Sequence, residues 1–238
     1  MKHRKLIILA LALALLLTAC ASNLPAGTVK SLRDLPGKNI GVLAGSSSAA
    51  IINEMGLGAY VREYATLEEL LEALSSGSCD AAICEGAQAD SLVSSRGISE
   101  LPDPIYKASY RIAVSQENTG LIRRINSAVA ELKKNPERAK DKVPADAPRV
   151  TVAFCGDLEP VSYLDENGLP AGREAEAVKA ICNIMGVIPE FQTVSRDKLM
   201  YYAQSGKVSM AVGRIESGQG VLLSEPCVEI IQRVIIRK

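Results

Sequence analysis

Residues 76–85 read SGSCDAAICE, and residues 205–214 read SGKVSMAVGR. Each copy follows a helix-like run, LEELLEALS from Leu67 and RDKLMYYAQ from Arg196. Each then passes a Ser-Gly turn into a short apolar run. A helix, a glycine turn and a short apolar run make the second half of a βαβ unit. Aligned on Gly77 and Gly206, Ile83 falls on Val212 and Glu85 on Arg214. Open parallel sheets take ligands outside the carboxyl ends of their strands. The repeat therefore predicts an α/β protein in two halves, each with one charged residue at that place and with opposite signs. A carboxylate on one wall and a guanidinium on the other suit a zwitterion.

Outward from the repeat, the first nineteen residues belong to a different class. Lys2, Arg4 and Lys5 precede an apolar run from Leu6 to Leu17, short for a bilayer span and typical of a signal peptide. The run ends in Leu17-Thr18-Ala19-Cys20. That tetrapeptide resembles the lipobox of bacterial lipoproteins, in which the cysteine becomes the acylated first residue. Residues 21–29, ASNLPAGTV, then read as a tether of small and polar residues. The expectation is an exported chain held at the membrane through lipidated Cys20.

The chain has 238 residues with 27 basic and 27 acidic side chains. Three of the basic ones fall within residues 1–19, which leaves 24 against 27 and a net charge of −3. A mildly acidic protein argues against nucleic acid as a partner. The single histidine, His3, lies in the same segment. Once that segment is removed, a histidine triad, a histidine metal site and an imidazole general base are excluded. Five cysteines follow Cys20 without a CxxC spacing, so neither zinc nor a redox couple is indicated. Their apolar neighbours suit buried thiols acting as small hydrophobes.

Taken in order, residues 38–43 read as a strand that runs into Ala44-Gly45-Ser46-Ser47-Ser48. Small hydroxyl residues between a strand and a helix form an N-cap, and the free N–H groups behind Ser46, Ser47 and Ser48 can hold an anion. A plain cap without a ligand fits the same residues. Residues 101–106 read as a Pro-broken loop and residues 110–115, YRIAVS, as a strand. Residues 119–134 show apolar positions at helical spacing. Residues 135–148 hold Pro136, Pro144 and Pro148 among dense charge, which marks a linker. After it the pattern restarts, with strands at 149–154 and 188–194, helices at 173–185 and 197–203, and a β-like run at 229–237.

Residues 160–168, PVSYLDENG, resemble the PPFSYLDENG start of the amino-acid (family 3) solute-binding proteins of ABC transporters. The resemblance continues through SGKV, LLSEP and the closing VIIRK. The earlier half resembles the later part of the same family. LRDLPGKNIGVLAGSS at 32–47 is similar to its DLKGKxVGVxxGTT stretch, CDAAICE at 79–85 to VDAVVAD, and YRIAVS to YGIAVRK. The two halves stand in reversed order. A circular permutant accounts for that order, and so does a rearranged gene whose halves belong to different molecules.

The resemblance implies a periplasmic-binding-protein type II-like fold, two α/β lobes on a hinge around a central cleft, circularly permuted. One lobe takes 31–106 plus 227–238 and the other 107–226, with the linker 135–148 inside it. It further implies an amino acid or similar small polar solute as ligand, a transporter permease as partner, a monomer outside the cytoplasm, no cofactor and no catalysis. Ser46 and Ser47 match the pair that receives the ligand carboxylate, and Glu85 matches the acid that takes the amino group. Leu158 falls where an aromatic usually stacks, and Arg196 near a second aromatic. The family's carboxylate-binding arginine is missing from its usual place. Arg214, a few residues early, either substitutes for it or forms a surface or hinge salt bridge. Two other functions stay open. One is a non-transporting lipoprotein with a drifted cleft that serves as sensor or partner-binding module. The other is a cyclohexadienyl-dehydratase-like enzyme with Glu85 as its acid.

Overall fold

The computed structural model describes residues 29–93 and 97–238. Cys20 and the apolar segment before it lie outside the described residues. The first half begins with β1 (Asn39–Leu43), α1 (Ser47–Met55), β2 (Tyr60–Tyr64), α2 (Leu67–Ser76), β3 (Ala81–Glu85) and α3 (Gly86–Val93). It continues through β4 (Ile98–Glu100), β5 (Tyr106–Tyr110), β6 (Ala113–Ser115) and α4 (Thr119–Lys134). The second half holds β7 (Arg149–Phe154), the hairpin β8 (Tyr163–Leu164) and β9 (Pro170–Ala171), and α5 (Arg173–Met185). Then come β10 (Ile188–Thr193), α6 (Arg196–Gln204), β11 (Met210–Val212), β12 (Val221–Leu223) and β13 (Val228–Arg237).

Local chemistry sets these limits. The Ser46 hydroxyl accepts from the amide of Ala49 to start α1, and Gly56 ends it in the left-handed region. Thr66 caps α2 through the amide of Glu69, and Gly77 of the quoted stretch closes that helix at φ 83°. In β3, Ala81 and Ile83 pack on one face while Ala82 and Cys84 pack on the other. Both faces of this strand are covered, so it reads as a continuous apolar run.

Two main sheets result. The first is ordered β2-β1-β3-β13-β4, with β5 also paired to β13, and the second β10-β7-β11-β6-β12. In each, three parallel strands share one arrangement: β1 lies between β2 and β3, and β7 lies between β10 and β11. The echoed strands β3 and β11 therefore occupy equivalent positions. Beside each runs an antiparallel fourth strand from a distant part of the chain, β13 next to β3 and β6 next to β11. The terminal β-like run joins the sheet of β1. Val234 faces Ile83 and Arg233 faces Cys84.

The chain crosses between the sheets twice, at adjacent places. Ile112 donates to the Ser224 hydroxyl at 2.9 Å, Ser224 donates back to the Ile112 carbonyl at 2.9 Å, and Cys227 donates to the Tyr110 carbonyl at 2.9 Å. YRIAVS, read as one strand, is split here. The amide of Arg111 turns to the Ile215 carbonyl at 2.8 Å, so β5 stays in the first sheet and β6 enters the second. The stretch read as a loop at 101–106 ends in β5, which pairs with β13.

Four apolar clusters cover the two faces of each sheet. Among the described residues all five cysteines are free, four of them buried. Burial pushes the thiols of Cys84 and Cys182 up to about 12, which keeps them protonated and unreactive.

Candidate functional site

Charged side chains from both lobes meet near the carboxyl ends of β3 and β11. On the first lobe, α1 begins at the end of β1. Its Ser46 caps the helix and also donates to the Leu43 carbonyl at 2.5 Å. Ser47 and Ser48 are buried. Ser48 donates to Gln232 Oε1 at 2.6 Å, and Ser47 accepts from Gln232 Nε2 at 3.1 Å. Ser47 in turn donates to Glu85 Oε1 at the end of β3. Gln232 on β13 sits opposite Glu85 in register, so one buried amide orders both hydroxyls.

Glu85 receives a second donor from the other lobe. Arg173, the first residue of α5, places Nη1 2.9 Å from Glu85 Oε1 and Nη2 3.1 Å from the Glu229 carbonyl. A groove of about 360 Å³ lies beside this pair, lined by Arg173, Glu176, Cys227 and Glu229.

On the second lobe, Arg214 follows β11. It is the one non-glycine residue with positive φ, 52°, among the described residues. Gly213 before it is tight against the neighbouring strand: a Cβ there would lie 2.8 Å from the Cys155 carbonyl oxygen. The Arg214 amide donates to both oxygens of the buried Glu174, at 3.0 and 2.8 Å. Burial pushes Glu174 up to about 7, while the Arg214 amide, the Ser162 hydroxyl and the nearby arginine charges pull the other way. The Arg214 guanidinium crosses to the first lobe and holds Glu54 of α1 bidentately, Nη1 to Oε2 at 2.9 Å and Nη2 to Oε1 at 3.1 Å. Its Nε donates to Asp157 at 3.2 Å.

Arg196, at the start of α6, completes the network. It clasps Asp157 with Nε at 2.7 Å and Nη2 at 2.6 Å, and its Nη1 donates to the Gly213 carbonyl at 2.7 Å. Partial burial works against the Asp157 carboxylate, yet Arg196 and Arg214 together hold its pKa below the usual range. Leu158, next along the loop, forms an isolated bridge to Ser162. It packs with Ile51, Tyr110, Val161 and Ile230 in a cluster built by both lobes.

The expected site residues thus lie in two groups. Ser46, Ser47, Ser48 and Glu85 stand together on the first lobe, and Arg196, Arg214 and Leu158 on the second. Glu85 pairs with Arg173, and Arg214 pairs with Glu54 and Asp157, rather than with one another. Among the described residues no group of His, Cys, Asp or Glu could hold a metal ion, and no helix is long and apolar enough to cross a membrane.

Residues 150–238 match the bacterial extracellular solute-binding proteins, family 3. The family 3 match takes in β7 to β12 of the second lobe and β13 of the first. It therefore contains Arg173, Glu174, Arg196 and Arg214, but not α1 or Glu85. No curated protein matches the chain. Among solved structures the chain is similar to a phosphate ABC transporter, phosphate-binding protein from Streptococcus pneumoniae, with 9% identity, 84% of this chain and 88% of that one covered, and a TM-score of 0.45. It is also similar to an ancestral cationic amino acid solute binding protein, with 15% identity, coverage of 87% and 84%, and a TM-score of 0.36. A third is the GluR0 ligand binding core in complex with L-glutamate, with 9% identity, 85% of each chain covered, and a TM-score of 0.34.

Sequence reasoning missed five residues of this region: Glu54, Asp157, Arg173, Glu174 and Gln232. Glu174 carried one usable signal, a carboxylate in the first turn of an apolar helix face. Glu54, Asp157 and Arg173 lie among ordinary surface-type charges and polar residues, and Gln232 is an amide within the largely apolar run of β13.

Proposed function

We propose that this chain is an extracytoplasmic solute-binding protein that closes two α/β lobes on a small polar solute, an amino acid or a close relative, for ABC-type import. The observation that carries this is the convergence of charged side chains at equivalent strand ends of two lobes joined by two adjacent crossings. The family 3 match over residues 150–238 supports it. The position of that match, in the later half of the chain, supports a circular permutation, as does β13 returning to the sheet of β1. Lipidation of Cys20 attaches the chain to the membrane. A solute carboxylate is taken by Arg214 or by the serines at the α1 N-terminus, and its amino group by Glu85. Leu158 and Arg196 flank the cleft.

The test is calorimetry and thermal shift with a panel of amino acids. A cognate solute at 100-fold excess over its Kd is expected to add about 2.7 kcal/mol of stability. Glu85→Ala and Arg214→Ala are each expected to lose about 2–5 kcal/mol of binding while remaining folded. Wild-type binding in both variants rejects the zwitterion reading. Cys20→Ser is expected to move the protein from the membrane to the soluble fraction, and unchanged retention rejects the anchor.

One observation favours a second reading, a non-transporting lipoprotein with a drifted cleft. Ile51 and Val161, from opposite lobes, are both buried in one cluster, and the cleft charges satisfy one another. On that reading no amino acid shifts the melting temperature.

A further inference from the structure

We propose that Glu54 is an intramolecular carboxylate that occupies Arg214 in place of a solute carboxylate and holds the two lobes together until a solute replaces it. This rests on the solute-binding reading above and adds a regulation to the same site.

The geometry of the pair is that of ligand recognition. Both terminal nitrogens of Arg214 face the two oxygens of Glu54 at 2.9 and 3.1 Å, the fork-to-fork arrangement by which arginine selects carboxylates. The third Arg214 nitrogen, Nε, is taken by Asp157. Arg196 is committed as well, to Asp157 and the Gly213 carbonyl. Every nitrogen of the two guanidinium groups thus has one protein acceptor, and a solute carboxylate takes the terminal Nη1–Nη2 fork of Arg214 only by displacing Glu54.

The two partners differ in how firmly they are held. Arg214 is mostly buried, with its side chain 16% exposed, whereas Glu54 is 49% exposed. The Arg214 backbone is fixed by Glu174, which accepts its amide with both oxygens. Among the described residues Glu54 pairs with Arg214 alone. It lies one residue from the C-terminal end of α1, where the helix dipole disfavours a negative charge. The arginine is thus the preorganised member and Glu54 the replaceable one. Because α1 belongs to the first lobe and Arg214 to the second, each exchange of Glu54 for a solute carboxylate also breaks a contact between lobes.

The experiment uses the purified full chain with Glu54→Gln, Arg214→Gln and the double variant, all checked for folding by circular dichroism. Each of the twenty amino acids is titrated by calorimetry, together with the carboxamide form of any that binds. Glu54→Gln is expected to bind the cognate amino acid at least tenfold tighter than wild type, with no gain for its carboxamide. In hydrogen exchange without solute, Glu54→Gln is expected to speed exchange in both α1 and residues 156–164. Arg214→Gln is expected to do the same, and the double variant no more than either single one. Equal affinity of wild type and Glu54→Gln overturns the proposal and leaves the solute-binding reading standing. Should no amino acid bind either protein, that reading fails and the exchange decides. Faster exchange in both segments upholds Glu54 as a contact that holds the lobes, and unchanged exchange overturns it.

Discussion

Glu174, with none of its surface exposed, accepts the backbone amide of Arg214 with both carboxylate oxygens. Glu174 belongs to the first turn of α5 and Arg214 to the segment after β11. The bond therefore ties the helix that carries Arg173 to the residue that carries the second cross-lobe ion pair. Two of the charged contacts between the lobes, Arg173 with Glu85 and Arg214 with Glu54, thus adjoin this one buried acid.

Its ionisation makes stability depend on pH. Burial raises Glu174 to about 7 in the folded chain, against about 4.3 when unfolded. The folded state then binds more protons than the unfolded state between these values. The stability that Glu174 contributes is fully present below the unfolded pKa and is lost as pH rises through the folded one. The loss approaches about 3 kcal/mol across the window. Glu174→Gln is expected to flatten it, as measured by urea denaturation at about pH 5 and about pH 7.5. An equal slope in wild type and variant would mean that another group titrates there.

Arg214 adopts φ 52°, a conformation that costs a residue with a Cβ about 1 kcal/mol or more. Arg214→Gly and Arg214→Ala both lose Glu54 and Asp157, so their difference isolates the backbone. The glycine variant is expected to be the more stable by about 1 kcal/mol. Equal midpoints in chemical denaturation would show that the backbone there is unstrained.

Ile51 of α1 is 1% exposed and packs with Val161 of the opposite lobe. Ile51→Ala is expected to cost about 2–5 kcal/mol in a single cooperative unfolding transition, because the cluster belongs to both lobes. Two separate transitions in wild type, only one of them shifted by the mutation, would show that the lobes fold independently.

Gln232 is fully buried and bonded to both Ser47 and Ser48. Gln232→Leu leaves the Ser48 hydroxyl without that acceptor, at about 1–3 kcal/mol. Removing both partners is cheaper than removing one, so Gln232→Leu with Ser48→Ala is expected to recover part of the loss. Additive losses in a double-mutant cycle on thermal stability would sink the coupling.

What the sequence determined by itself is the local grammar. The repeat at 76–85 and 205–214 announced two βαβ halves because turn glycines and apolar runs act within about ten residues. The quoted strands became β3 and β11 in matching places, with Glu85 and Arg214 at their ends. The terminal run was legible as a strand in search of a partner, since its backbone groups must be paired. Only the tertiary structure decided which carboxylate meets which arginine. Glu85 and Arg173 are 88 residues apart, and Glu54 and Arg214 are 160 apart. Such pairings depend on how two lobes lean together and on where a long, flexible side chain comes to rest. An acid on a helix surface carries no mark of its partner in the residues around it. The left-handed turn of Arg214 was hidden for the same reason, and the burial of Glu174 was marked only by its place on an apolar helix face, because each is a property of what packs around it rather than of its neighbours along the chain.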